Sequence, residues 1–148
     1  EGGDIKTLGI WGAGDIIGLP LQRNYPFQIE SLSTAKAALI QDKSIFGGQW
    51  LVSYLQQTES LLTIQYQNLV RDRLVQLLEW LGNRFGYQCD RGIIIAPRMT
   101  HQEMSEAINS TRVTVTRVLR ELEDDGFLGW SERQCVLLRS HSQELHYT

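Results

Sequence analysis

The stretch that decides the fold of this chain is residues 99–125, MTHQEMSEAINSTRVTVTRVLRELEDD, which predicts two short helices joined by a tight turn. Thr100 and Glu103 have the spacing of a capping box, in which each residue satisfies a backbone donor of the other at a helix start. An apolar stripe follows at Met104, Ala107 and Ile108. The helix is expected to end near Asn109, because asparagine tolerates the left-handed backbone of a tight turn.

The second helix of this stretch is expected to start at Ser110 or Thr111, because both residue types cap helix N-termini. A new apolar period then runs through Val115, Val118, Leu119 and Leu122. Ser105 is small, Asn109 is a turn residue and Val115 is apolar, as a helix-turn-helix requires at these positions. The stretch therefore predicts a helix-turn-helix.

The flanking sequence extends this motif on both sides. Gly126 is placed to terminate the second helix, and residues 127–130 and 135–138 read as two strands around a polar turn at 131–134. Upstream, a helix is predicted over residues 71–85, stopped by Gly86, and a short apolar strand over 92–97. A hairpin directly after the second helix makes the predicted unit a winged helix-turn-helix.

A longer helix is expected from Gln49 to about residue 70. Six of its residues recur at alternating spacings of four and three, namely Leu51, Leu55, Thr58, Leu62, Gln65 and Leu69. This spacing is typical of the seam between two identical helices, and it predicts a homodimer interface. The alternative is a single amphipathic helix that packs inside one core.

The first 48 residues read as short strands between Gly-rich turns, followed by a short helix at 35–42. The strand-like apolar residues are Ile5, Leu8, Ile10 and Trp11, those of residues 16–21, and Phe27, Ile29 and Leu32. They predict part of a β barrel or roll, and the abrupt start suggests that only the second half of a larger β domain is present. An ordinary hairpin series without a ligand site is the alternative.

Composition limits the classes of function. The net charge of -3 excludes a generally basic coat for nucleic acid, so DNA binding requires a local patch. Arg112, Arg117 and Arg120 form such a patch, and acidic residues follow only from Glu121 onward. The two cysteines have no CxxC spacing, and no signal peptide or membrane-length apolar run is visible. A cytoplasmic protein that does not enter a membrane is therefore expected.

These residues carry a resemblance to the CRP/FNR family of transcription regulators. GDIIG (14–18) resembles the end of the family's β roll, QTES (57–60) through RDRL (71–74) its dimer helix, and THQEMSEAINSTRVTVTR (100–117) its helix-turn-helix, most closely that of the nitrogen regulators. The resemblance implies an α+β fold with a partial cyclic-nucleotide-binding-type β roll at 1–48, a dimerisation helix at 49–70 and a C-terminal winged helix-turn-helix at 71–148. It also implies RNA polymerase as a candidate partner.

Geometry assigns the DNA contacts. The first turns of a helix that enters the major groove N-terminus first point at base edges, so the candidates are Arg112, Val113, Thr116 and Arg117. The start of the first helix faces phosphate, which makes Thr100, His101 and Gln102 candidates for phosphate contacts. Thr114 and Arg120 either touch phosphate or face solvent.

Val113 predicts the preferred half-site. Many members of the family that resemble this chain carry Glu at this position, and Glu accepts from cytosine N4, whereas valine offers methyl contact to thymine. The resemblance therefore implies half-sites of the GTA type, as for the nitrogen regulators, over the TGTGA type of the catabolite activators.

The sensor segment lacks the family's known ligand groups. Gly18 is followed by Leu19 and not by the Glu that binds ribose, and Tyr25 and Pro26 stand where an Arg-Ser pair binds phosphate. We therefore expect no tight binding of cyclic AMP. Tyr54 replaces the dimer-helix arginine that holds 2-oxoglutarate in the nitrogen regulators, so Glu59 is either a ligand contact or a solvated residue.

No cofactor is expected, because no histidine precedes His101 to ligate heme and the cysteine spacing does not suit an iron-sulfur cluster. Gly18, Leu19 and Glu59 remain the candidate effector residues, and the effector is unknown or absent. Two function classes stay open: a homodimeric DNA-binding regulator, and a winged-helix module that binds another protein through its acidic end at 121–125. An enzyme ranks third, because no catalytic constellation is visible.

Overall fold

The computed structural model describes residues 5–17, 28–41 and 48–138. Its helices and strands, in chain order, are α1 (Gly48–Gln65), α2 (Val70–Phe85), β1 (Gly86–Cys89), β2 (Gly92–Ile95), α3 (His101–Ala107), α4 (Arg112–Asp124), β3 (Leu128–Ser131) and β4 (Gln134–Leu138). The strands form one antiparallel sheet in the order β1-β2-β4-β3. The predicted α+β class is confirmed.

The core lies where α2 meets α4 and the sheet. Helix α2 contributes Leu74, Leu77, Leu78 and Leu81, α4 contributes Val115, Val118, Leu119 and Leu122, and the sheet contributes Ile95, Leu128 and Leu137, all of them buried. These side chains remove a large apolar area from water, which is the main source of stability in a domain of this size. They fix the orientation of α4 relative to the sheet.

Helix α2 matches the sequence prediction closely. It begins after Leu69, which is extended, and ends at Gly86, whose N–H donates to the carbonyl of Gly82. The predicted strand at 92–97 is shorter, β2 ending at Ile95. Strand β1 was not predicted, because its sequence GYQC lacks an apolar alternation, and it forms by pairing with β2.

The hairpin predicted after the second helix, which is the wing of a winged helix-turn-helix, is confirmed as β3 and β4. Strands β3 and β4 pair from Leu128 with Leu137 to Ser131 with Gln134, and the turn between them places Glu132 and Arg133 at φ values of 48° and 68°. Two consecutive left-handed residues are the geometry of a tight two-residue hairpin turn, which suits the right-handed twist of the strands. Gly126 ends α4 at φ 72°, as expected.

Helix α1 ends earlier than predicted. It stops at Gln65, so the expected helix to residue 70 is wrong and Leu69 lies in the connection to α2. The last turn tightens, because the N–H of Gln67 donates to the carbonyl of Ile64 three residues back. The Gln65 side chain donates to the carbonyl of Ala107 at 2.9 Å, which ties this end of α1 to α3.

The N-terminal segment contains no strand or helix within residues 5–17 and 28–41. The short strands predicted at Ile5 to Trp11 and at Ile29 to Leu32 are therefore wrong, as is the helix at 35–42 over its described part. Side-chain docking replaces strand pairing, because Ile10 is buried and Trp11 stacks on Tyr54 of α1 with ring centroids 6.3 Å apart. The predicted strand residues 18–21 and Phe27 lie outside the described residues.

Asp15 fastens this segment to both long helices. Its carboxylate accepts from the N–H of Gly12 at 2.7 Å, from Gln57 of α1 at 3.0 Å and from Arg84 of α2 at 2.6 Å. The Asp15 and Arg84 side chains are only 11% and 27% exposed, so this ion pair is better shielded from solvent than a typical surface pair. Residues 5–17 are therefore held against α1 and α2.

Two glycines with positive φ differ in the space around them. A Cβ at Gly92 would lie 1.8 Å from the carbonyl oxygen of Leu137, whereas a Cβ at Gly126 would meet nothing within 4 Å. We expect Gly92→Ala to lower the free energy of unfolding by about 3 kcal/mol, because β2 and β4 must separate. Gly126→Ala is the matched control, with an expected loss of about 1 kcal/mol from its backbone conformation alone. Urea denaturation measures both, and equal losses would contradict the close approach of the strands.

Candidate nucleic-acid interface

The helix-turn-helix forms as the sequence predicts. Thr100 and Glu103 make both hydrogen bonds of the capping box at the start of α3. The turn passes through Asn109 at φ 51°, and the N–H of Ser110 donates to the carbonyl of Ser105 at 2.9 Å. Ser105 is buried, and its hydroxyl donates to the carbonyl of Gln102. A larger side chain than serine at this position would have to displace the neighbouring core.

Thr111, and not Ser110, caps α4. Its hydroxyl accepts from the N–H of Thr114 at 3.2 Å, and the two threonine hydroxyls lie 2.9 Å apart. Thr114 is half-buried and partly engaged with this cap. The structure therefore gives Thr114 a local role at the start of the helix, and its contact with phosphate stays a prediction.

The face of α4 that turns away from the core carries the predicted base-reading residues. Val113 is 80% exposed, and Arg112, Arg117 and Arg120 are exposed as well. Residues 113, 116, 117 and 120 share one side of the helix by their spacing, opposite the buried valines and leucines. An exposed valine among three arginines is a surface that combines apolar contact with positive charge.

The charges along α4 are sorted by position. Arg112 makes no ion pair with any residue in the described ranges, whereas Arg117 pairs with Glu121 one turn later. Asp125, just past the end of α4, pairs with Arg71 of α2 at 2.7 Å. The N-terminal end of the helix therefore presents free positive charge, and part of the acidic end is neutralised within the chain.

The predicted phosphate-binding residues lie together at the start of α3. Thr100 is exposed, but its hydroxyl and its N–H are both used by the capping box. Gln102 is exposed, and its amide donates to Glu106 at 2.7 Å. His101 is half-buried, and its Nδ1 lies 2.8 Å from the hydroxyl of Thr116 on α4. The N–H groups of His101 and Gln102 belong to the first turn, where a helix supplies no carbonyl partner.

Three residues outside the motif hold it in place, and sequence reasoning did not identify this role. Arg73 of α2 donates to the carbonyls of Ile108 and Asn109 at 2.8 and 3.1 Å, and so secures the turn between α3 and α4. Gln65 binds the carbonyl of Ala107, and Arg71 binds Asp125. No sequence pattern marks such contacts, because most of their partners are backbone carbonyls far along the chain.

The predicted dimer-seam residues divide into two groups. Leu51, Leu55, Leu62 and Leu69 are 43%, 57%, 47% and 62% exposed. Thr58 and Gln65 are half-buried and bonded within the chain, to the carbonyls of Tyr54 and Ala107. An open groove of about 490 Å³ runs along this side of α1, lined in part by Leu55, Leu62 and Tyr66.

The candidate effector residues are not brought together. Glu59 is exposed on α1, at the edge of a groove of about 560 Å³ between α1 and α2. Glu79 lies in the same groove, and burial raises the pKa of its carboxyl. Gly18 and Leu19 lie outside the described residues. Tyr54, at the position of the expected arginine, is occupied by its stacking on Trp11.

Cys89 and Cys135 are both free thiols, the first half-buried and the second buried. No cluster of three or more His, Cys, Asp or Glu residues there is arranged to hold a metal ion. Burial, and then the carboxylate of Glu123, raises the pKa of the Cys135 thiol to about 12, so this thiol stays protonated at neutral pH. No helix in the described part of the chain has the length and apolar character needed to span a bilayer.

Comparison with known proteins relates this geometry to a family. A family model for the Crp-like helix-turn-helix domain matches residues 72–142. The regulatory protein CysR of Synechococcus elongatus is 36% identical over 140 residues, which span 93% of this chain and 68% of CysR. The global nitrogen regulator of Synechocystis sp. is 36% identical over 96 residues, covering 65% of this chain and 43% of that protein.

Solved structures agree at the level of the fold. A CRP-family transcriptional regulator from Thermus thermophilus superposes with a TM-score of 0.58 at 20% identity, over 71% of this chain and 53% of that one. A CooA mutant from Carboxydothermus hydrogenoformans gives 0.55 at 21% identity, over 62% of this chain and 42% of the other. The chain therefore spans about two thirds of CysR and about half or less of these other proteins.

Proposed function

Since the chain belongs to the CRP/FNR family of transcription regulators, we propose that it regulates transcription by binding a palindromic DNA site as a homodimer. The observation that carries the proposal is the exposed face of α4, where Val113 is 80% exposed beside Arg112, which has no ion pair among the described residues. An isolated exposed valine on a charged helix buries its methyl groups when the helix enters a major groove and meets thymine. We propose the cytoplasm as its site of action.

The proposed base contacts come from the first two turns of α4. Arg112 is the candidate for a bidentate contact to guanine O6 and N7, and Val113 for contact with a thymine methyl group. Thr116 and Arg117 follow on the same side of the helix, and the acidic residues begin only at Glu121. This arrangement favours insertion of the helix by its N-terminal end, with the acids kept away from the phosphates.

The proposed phosphate contacts lie at the start of α3. Gln102 is exposed there, and the backbone donors of the first turn point away from the helix. Thr100 contributes to this contact by starting the helix, since its own polar groups are engaged in the capping box. For His101, the ring nitrogen available to phosphate is the one that does not contact Thr116.

The proposed dimer forms along α1. Leu51, Leu55 and Leu62 recur on one side of this helix and remain largely exposed, although leucine is among the most readily buried residue types. Two such faces packed together bury the leucines, and α1 is tied to α3 through Gln65. A dimer through α1 therefore sets the separation of the two reading helices, with half-sites about one helical turn of DNA apart.

An effector is not assigned. The groove between α1 and α2 contains the carboxyls of Glu59 and Glu79, and a dicarboxylate such as 2-oxoglutarate needs cations instead. Trp11 and Tyr54 occupy the side of α1 where the resemblance places an arginine. We propose that cyclic AMP and 2-oxoglutarate are not ligands of this chain, and we retain RNA polymerase as a candidate partner from the family resemblance alone.

The alternative role as a protein-binding module receives less support. Its proposed contact surface was the acidic end of α4, but Glu121 pairs with Arg117 and Asp125 pairs with Arg71. These internal pairs leave less negative charge for a partner. The exposed Val113 on α4, in contrast, is covered by no side chain within the described residues.

The test of the proposal compares two duplexes. In fluorescence anisotropy at fixed salt, we expect the chain to prefer a GTA-N8-TAC duplex to one with TGTGA half-sites, by about tenfold. Val113→Glu is expected to reverse this preference, because a carboxylate accepts from cytosine N4 and does not contact thymine methyl groups favourably. Equal binding of both duplexes by the parent and the variant would overturn the assignment of Val113, and absence of binding to any duplex would overturn the function.

A further inference from the structure

His101 and Thr116 make a side-chain contact across the helix-turn-helix. His101 is the first residue of α3, and its Nδ1 lies 2.8 Å from Thr116 Oγ1 on α4. The same hydroxyl oxygen lies 2.9 Å from the backbone carbonyl oxygen of Arg112, one turn earlier on α4. Both side chains are half-buried, and Thr116 lies on the side of α4 that also exposes Val113 and Arg117. The Thr116 hydroxyl on this side of α4 is thus contacted both by His101 and by the carbonyl of Arg112.

The protons in this contact can be counted. A threonine hydroxyl carries one proton and two lone pairs, and a backbone carbonyl can only accept. The Thr116 proton therefore goes to the carbonyl of Arg112, and the contact with His101 requires that Nδ1 donates. Nδ1 carries a proton either in one neutral tautomer or in the imidazolium, so His101 donates in both states. One lone pair of the Thr116 oxygen remains.

We propose that His101 is a positioning residue that makes Thr116 an acceptor-only reader of DNA bases, specific for amino groups. This inference rests on the proposed function and gives His101 a role in addition to the proposed phosphate contact, which with Nδ1 donating to Thr116 needs the imidazolium. With its proton committed to Arg112, Thr116 has no donor to offer to guanine O6, guanine N7 or thymine O4. It can accept from adenine N6 or cytosine N4, both of which occur in a GTA half-site and its complement.

Loss of His101 removes one of the two contacts that fix the orientation of the Thr116 hydroxyl. Without the Nδ1 donor, the Arg112 carbonyl alone holds the Thr116 side chain, so the second χ1 rotamer that a helical threonine can adopt becomes accessible, and in it the hydroxyl proton leaves that carbonyl. The hydroxyl then donates to keto edges as readily as it accepts from amino groups. Because Thr116 stays on the surface of α4 in either case, we expect a change in base preference without loss of the fold.

The experiment measures the cost of removing single amino groups from the DNA. Anisotropy titrations use the GTA-N8-TAC duplex and three versions of it, each changed in one half-site only, with purine replacing either of the two adenines or 2-pyrimidinone replacing the cytosine. For the parent we expect a loss of roughly threefold to tenfold in affinity on one of the three, the value of one neutral hydrogen bond. For His101→Ala we expect the same replacement to cost less than about twofold.

Matched variants separate positioning from other roles. His101→Asn retains a side-chain N–H donor near the position of Nδ1 and is expected to restore the cost of the amino-group deletion. Thr116→Val keeps the shape of the side chain without the hydroxyl and is expected to abolish that cost. In the Thr116→Val background, His101→Ala is expected to add no further change in base preference. Circular dichroism checks the fold of each variant.

The experiment distinguishes failure of the inference about His101 from failure of the proposed function. If the parent binds no duplex, the proposed function and this inference both fall. If the parent binds but loses no affinity when an amino group is removed from the DNA, only this inference is overturned. The same holds if His101→Ala weakens binding to all duplexes equally and still loses affinity on removal of the amino group. An independent readout is the ¹⁵N chemical shift of the His101 ring in the full chain: a protonated Nδ1 supports the inference, and a neutral ring protonated only on Nε2 contradicts it.

Discussion

Arg112→Ala is expected to lower the affinity of the chain for a GTA-N8-TAC duplex by about thirtyfold or more. A bidentate arginine contact to guanine is worth about 1 to 3 kcal/mol, and a dimer makes it in both half-sites. Arg112 is exposed at the first position of α4 and has no ion pair among the residues that the structure describes, so its guanidinium is available to DNA. Fluorescence anisotropy at one salt concentration measures the change.

Arg120→Ala is the matched control for this prediction. It removes the same charge from the same helix, two turns further from the end that enters the groove. A phosphate contact by Arg120 lowers affinity for all sequences alike and does not change the preference for guanine. If Arg112→Ala bound as tightly as the parent, or lost affinity without losing guanine preference, the assignment of Arg112 as a base reader would be wrong.

Leu55→Glu is expected to convert the proposed dimer into monomers and to weaken binding to the palindrome by about a hundredfold or more. The side chain is 57% exposed in the open groove along α1, and across a two-fold axis the substitution places two carboxylates in one apolar interface. A dimer binds its two half-sites with an effective concentration that a monomer lacks, and this advantage is roughly 10² to 10⁴. Analytical ultracentrifugation and anisotropy measure the two effects.

Gln56→Glu controls for the added charge. Gln56 is the next residue on α1, is also exposed, and points to a different side of the helix by its position. It is expected to leave the sedimentation of the protein and its affinity for the palindrome unchanged within about twofold. A monomeric parent at micromolar concentration would contradict the proposed dimer, and a dimeric Leu55→Glu protein would place the dimer interface elsewhere.

The helix-turn-helix and its wing were predictable because their determinants are local. The capping box of Thr100 and Glu103, the left-handed Asn109 and the terminating Gly126 all act within one turn of the chain. The exposure of Val113 and Arg112 also followed from helical spacing alone. Such signals are complete in the sequence, so the structure confirms the elements and their order.

The strands predicted in the N-terminal segment are wrong because strand formation depends on partners elsewhere in the chain. Alternating apolar residues form a strand only when another strand supplies backbone partners, and residues 5–17 are instead held by side chains of α1 and α2. The helix expected at 35–42 lies in a stretch that is exposed from residue 33 to 41. A helix this short is marginal without packing.

The contacts that position the candidate site were equally invisible in the sequence. His101 and Thr116 are fifteen residues apart, and Arg73 and Gln65 bind carbonyls 35 and 42 residues away. A backbone carbonyl is present at every residue and therefore leaves no mark in a sequence. Only the packing of α1 and α2 against α3 and α4 decides which carbonyls are reached.

The carboxylate of Asp15 has a thermodynamic consequence. It accepts at once from Gly12, from Gln57 on α1 and from Arg84 on α2, and one oxygen serves both Gly12 and Arg84. The three contact energies are therefore not separable, and replacing any one donor changes the strength of the other two. A double-mutant cycle between Gln57 and Arg84 would report a coupling energy, although these two side chains are linked only through a carboxylate that belongs to neither.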